Sequence, residues 1–186
     1  MRKLKVENTV TQEFVEPKIR EAMLSVFDTD LAEIPSDSAM ALAQQFGADK
    51  NFSSILNADK DDEAVRKFLS SFYNNLNLLV QKTWVEESDE AQKAHIQFRL
   101  DAVCKVFLTG DFQTPYKELV SLLHEVVSLM FGVQLAKTDF LEYAFRIDPE
   151  FGIFWWYVEN LPEEAPESSE KARIYLLLGM VFLSNY

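Results

Sequence analysis

The chain contains a single cysteine, Cys104, so it cannot close an internal disulfide and nothing in it calls for an oxidising compartment. Histidine is almost as scarce. His95 and His124 fall on segments that pattern as different helices, and neither belongs to a His-Glu-x-x-His or Glu-x-x-His spacing. Those spacings put ligands on one helix face, so no metal or cofactor is expected. Five glycines and six prolines are too few for a fold built on many tight turns, which disfavours an all-β architecture. No glycine-rich phosphate loop and no Gly-x-Ser-x-Gly element occurs. The longest apolar run, Leu176 to Leu183, is far short of the ~20 residues that span a bilayer, and no charged-then-apolar leader opens the chain. A cytoplasmic protein without a membrane partner is the expectation. Positive charge is also in short supply. Lys and Arg number 18 against 30 Asp and Glu, giving a formal net charge of −12, and only Arg2, Lys3 and Lys5 cluster. Such a surface repels nucleic acid, which is therefore not an expected partner.

What the chain has is apolar bulk at helical spacing. A hydrophobic fraction of 48%, with 15 Phe, 6 Tyr and 3 Trp, excludes a mainly disordered protein. Residues 1–16 are polar and weakly patterned, and partial disorder is expected there. Helical periodicity then recurs over about 17–27, 36–46, 52–56, 62–86, 89–109, 115–131, 139–146, 149–161 and 169–183. The clearest of these carries Thr114 and Pro115 at its start and Gly132 at its end. Its ten apolar residues cover an arc of roughly 200°, broad enough to meet neighbours on two sides. The fold class is all-α: a single domain, an irregular bundle of eight or nine helices, within which 17–58 can form a small three-helix subdomain.

Several constellations invite chemistry. Asn57, Asp59, Asp61 and Glu63 alternate as in a calcium loop, but Asp62 stands where the turn glycine belongs and Phe68 where a bidentate Glu is required. Cys104 lies mid-helix among Val103, Val106 and Phe107, the setting of an inert thiol. Asp101 and Lys105, four apart on a helix face otherwise holding Ala94, Phe98 and Ala102, form either an edge-of-core ion pair or, with His95, the polar lining of an internal pocket. Trp155, Trp156 and Tyr157 are candidate partner-binding residues. Adjacent indoles point about 100° apart on a helix, so complete burial of both is not expected, and such residues are enriched at binding hot spots. The last helix is apolar all round. Its face at Leu177 and Val181 suits either a homodimer interface or a helix threaded through the core.

Residues 41–48, Ala-Leu-Ala-Gln-Gln-Phe-Gly-Ala, followed by a short helix ending at Leu56, resemble a helix-turn-helix. Ala43 and Gly47 match its small residue and turn glycine, and Leu42, Phe46 and Leu56 its buried positions. With three short N-terminal helices ahead of a larger helical body, the layout is similar to that of TetR-type regulators. That resemblance implies a ligand-responsive transcriptional regulator with its DNA-reading element at 38–57. Lys50 is the sole cation of the would-be recognition helix, whereas phosphate contacts ask for several. The leading reading is therefore a non-enzymatic protein–protein interaction protein, an adaptor or accessory subunit that binds a protein partner, itself included.

Overall fold

The computed structural model describes residues 9–28, 30–45, 55, 62–83, 94, 98, 101–102, 104–105, 108–109, 111–112, 116–131 and 137–184. Eight helices occur among them: α1 (Thr9–Phe14), α2 (Pro17–Val26), α3 (Ser36–Gln45), α4 (Glu63–Thr83), α5 (Tyr116–Phe131), α6 (Lys137–Ile147), α7 (Pro149–Asn160) and α8 (Ser169–Ser184). The protein is an all-α bundle, as the periodicity predicts, and no strand is present among the described residues.

Local side-chain caps account for three helix starts. Asp148 accepts hydrogen bonds from the N–H groups of Glu150 (3.1 Å) and Phe151 (3.4 Å), with Pro149 in the first turn of α7. Asp62 does the same for Ala64 at the head of α4 (2.9 Å), and Ser168 Oγ accepts from Lys171 N–H in the first turn of α8 (3.3 Å). At the head of α3 the Pro35 carbonyl accepts from the N–H groups of Ser38 and Ala39, and Ser36 is already helical. The flanking Thr114, Pro115 and Gly132 of α5 lie outside the described residues.

Within the weakly patterned stretch 1–16, the structure describes residues from Thr9 onward. Residues 9–14 form α1, with Thr11 and Val15 buried and the Phe14 ring stacked on Phe145 of α6 at 5.9 Å. A polar six-residue segment has little intrinsic helicity. Its order comes from docking on α6.

The amphipathic helices turn the predicted stripes inward: Ile19, Ala22, Met23 and Val26 in α2, and Val65, Phe68, Leu69 and Phe72 in α4. Helix α5 buries Tyr116, Leu119, Leu122 and Leu123 and packs against α4, α7 and α8, as its broad arc requires. Two helices are enclosed more fully. In α7 every residue from Phe151 to Asn160 is buried, with α6 on one side and α5 on another. In α8 Ile174 to Leu178, Met180 and Val181 are all buried, against α3, α4 and α5.

Helix α8 also ties in the N-terminal part through side chains that seek backbone carbonyls. Tyr175 Oη donates to Val26 O in the last turn of α2 (3.1 Å), and Arg173 Nη2 to Ile55 O (2.9 Å). Tyr157 Oη donates in turn to Tyr175 O (2.8 Å), and the Phe27 ring packs on both tyrosines at 5.3 and 5.4 Å. Because Ala39, Leu42, Ala43 and Ile55 belong to the same core cluster as α7 and α8, the described part of 17–58 is built into the body and does not project from it.

Candidate functional site

A concavity lies where three described segments meet: the α2–α3 loop, the α7–α8 loop and the first two turns of α8. Each is shaped by its own residues. Phe27 N–H donates to the Met23 carbonyl and Asp28 N–H to that of Ser25, closing α2, and Asp28 Oδ1 accepts from Asp30 N–H (3.0 Å), bending the chain away. Pro162 and Pro166 deny the α7–α8 loop helical hydrogen bonds and keep it open.

Lys171 holds the walls together. Only 8% exposed, its ammonium donates to Asp28 O at 3.0 Å and Leu31 O at 3.4 Å, and it stands 6.0 Å from the Tyr175 ring centroid. A cation in the first turn of a helix opposes that helix's own dipole. Here it reaches instead to the carbonyls just past the C-terminus of α2, where positive charge is favoured. Burial lowers the pKa of this ammonium below the usual lysine value, and Asp28 works in the opposite direction.

The result is an open cleft of about 480 Å³ with Leu31, Ala32, Pro162, Pro166 and Tyr175 as its apolar floor and Glu167 and Ser168 at its edge. Exposed acids flank these lining residues along the chain: Asp28, Asp30 and Glu33 near Leu31 and Ala32, and Glu163, Glu164, Glu167 and Glu170 near Pro162, Pro166 and Lys171. Glu164 is engaged by Lys117 of α5 at 2.8 Å. Nothing lining the cleft pairs a nucleophile with a base. An apolar floor under a negative rim is suited to holding a segment that carries aliphatic and cationic side chains together.

The residues singled out in sequence fall elsewhere. Trp155, Trp156 and Tyr157 do not form an exposed partner site: they are 7%, 1% and 0% exposed. Enclosure of α7 on all sides overrides the 100° divergence of the two indoles, and His124 of α5, half-buried, covers Trp155 edge-on at 5.7 Å. Leu177 and Val181 likewise do not present a homodimer face. At 2% and 1% exposure they lie inside the chain's own core, which is the threaded alternative. Asp101 and Lys105 are both exposed, form no ion pair among the described residues, and line no internal pocket with each other. His95 lies outside the described residues, as do Lys50 and most of 46–57. No group of three metal-ligating side chains occurs among the described residues.

Cys104 is partly buried, and burial first, then the adjacent Asp101 charge, raises its thiol pKa from 9.0 to about 11. At pH 8 its thiolate fraction is then about 100-fold below that of an unperturbed thiol. Iodoacetamide should alkylate the native protein on the order of 100-fold more slowly than the urea-unfolded chain, and equal rates would refute the inert assignment. The sign for stability follows. Unfolded chains release this proton first, so the thiol's contribution to folding declines as pH rises from 9.0 towards 11.

Lys171 escaped sequence reasoning because a lysine in the first turn of a helix ordinarily points to solvent. The available signal was its position between an acidic proline loop and a wholly apolar helix. No protein-family model, curated protein or solved structure matches this chain, so its functional reading rests on its own geometry.

Proposed function

We propose that this is a non-enzymatic, cytoplasmic helical interaction protein, an adaptor or accessory subunit, whose α2–α3/α7–α8 cleft receives a basic segment of a protein partner. The observation that carries the reading is the pairing of an apolar floor (Leu31, Pro162, Pro166, Tyr175) with Glu167 in the lining and exposed acids flanking both lining segments along the chain. Charge complementarity sets the partner's sign and accelerates encounter, while the floor supplies the contacts that make binding saturable. Lys171 and Tyr175 stiffen both walls before any partner arrives, which reduces the ordering cost of association. That no described helix is long and apolar enough to cross a membrane is compatible with this reading.

The test uses a fluorescent peptide alternating leucine and lysine, titrated by anisotropy at about 50 and 300 mM salt. Saturable binding that weakens with salt is expected, with a loss of about tenfold or more in the Leu31→Ser protein. An equal response from Leu31→Ser would mean diffuse attraction to an acidic surface and would overturn the cleft. Duplex DNA should not be shifted at near-physiological salt. A salt-dependent DNA complex abolished by Lys50→Ala would replace this reading with the TetR-type regulator.

A further inference from the structure

Sequence periodicity turns Ala94 and Phe98 towards the core, but the structure turns them out. Phe98 is 71% exposed and Leu108 44%, and Ala94, Asp101 and Lys105 are exposed with them; all five are helical. Their spacings are four, three, four and three residues, so at 100° per residue they share an arc of about 80°. Ala102 and Cys104, about 80° to either side of its centre, are half-buried. Among the described residues of this stretch the stripe is therefore the outermost line. A phenylalanine within it is costly to hydrate, and no described element covers it.

The order of residues along the stripe is what identifies the occupant. Phe98 and Leu108 are equidistant from position 103, and so are Asp101 and Lys105. A two-fold axis through that position brings aromatic against aliphatic and acid against base, twice each. Four-three spacing is also the seam that helices use to pack side by side. We propose that two copies of this chain pair antiparallel along the 94–108 stripe, Phe98 of each against Leu108 of the other and Asp101 of each against Lys105 of the other. Parallel pairing would oppose like charges at both positions. An isologous contact requires such self-complementarity: what residue i meets, its partner meets in return. The stripe is separate from the acidic cleft and its outcome is independent of that site.

Sedimentation velocity from about 1 to 500 µM chain, in about 0.15 M salt, reads the association. Wild type should pass from monomer to dimer within that range. Asp101→Lys and Lys105→Glu should each remain monomeric, since each sets like charges opposite one another twice. Mixing these two variants restores both opposite-charge contacts, so the equimolar mixture should associate as wild type does, and the double exchange within one chain should do the same. Phe98→Ser removes the apolar contact without touching the charges and should also be monomeric. All these positions are exposed, and retained helical circular dichroism checks that each variant is folded. A wild type that stays monomeric throughout, single charge variants that dimerise like wild type, or a mixture that fails to associate would each overturn the proposal.

Discussion

Leu123→Ala is expected to lower the unfolding free energy by about 2–5 kcal/mol, the sum of lost apolar transfer and a cavity that the bundle cannot close. Leu123 is fully buried on α5 at the point where that helix meets α8. The contact is close because residue 179 is glycine: a Cβ placed there would lie 3.1 Å from Leu123 Cδ1, 3.7 Å from Cδ2 and 4.0 Å from Cγ. This gives the prediction a second arm. In wild type, Gly179→Ala gains about 1 kcal/mol of helix propensity and loses a similar amount by crowding Leu123, so its net effect is small. In the Leu123→Ala background the crowding atoms are gone, and Gly179→Ala should recover about 1 kcal/mol or more. Denaturant melts of the four proteins measure the coupling. Strict additivity, or a Leu123→Ala loss below about 0.5 kcal/mol, would mean that α5 and α8 do not meet there.

Gly152→Ala should destabilise as well, although it places a better helix former in the first turn of α7. An added Cβ would sit 2.5 Å from Cγ and 2.8 Å from Cε1 of Phe145 on α6. That ring cannot swing aside as the end of an aliphatic chain can. It is 1% exposed and stacked on Phe14 of α1 at an interplanar angle of 11°. Relief requires α6 and α7 to separate, and overpacking of this kind costs about 1–3 kcal/mol even after the propensity gain. Because α1 packs on α6, its amides should exchange faster in the variant than those of α8. Phe145→Leu, which vacates the ring volume, should offset part of the Gly152→Ala loss. A variant more stable than wild type would show that the two helices do not approach closely at this glycine.

Much of the helical framework was legible because its causes are local. Asp62, Asp148 with Pro149, and Ser168 each act on backbone N–H groups two or three residues away, so the heads of α4, α7 and α8 can be read without knowing the fold. Regular stripes such as Val65, Phe68, Leu69 and Phe72 name their own buried face. Pattern ceased to discriminate where apolar residues surround a helix or line two of its faces. The aromatic run at 151–157 and the apolar run at 176–181 reveal no exposed side because there is none, yet a sequence cannot count the neighbours that enclose a helix. The segment at 94–108 offers two apolar faces, and periodicity has no means of choosing between them. Cleft residues were invisible for a related reason. Lys171 meets Asp28 and Leu31 across some 140 residues of chain, and a lysine's destination is set by which carbonyls the packing leaves within its reach.

By itself, then, the sequence determined helix class, the starts of α4, α7 and α8, the inward stripes of α2, α4 and α5, and an acidic net charge, all consequences of interactions within a few residues or of composition. Tertiary structure alone decided that α1 forms, that Trp155 and Trp156 are core rather than surface, that Leu177 and Val181 face their own chain, and that Phe98 faces water. Each of those outcomes depends on which distant helix arrives to remove a surface from solvent, and burial is a property of that arrangement rather than of any residue's neighbours in sequence.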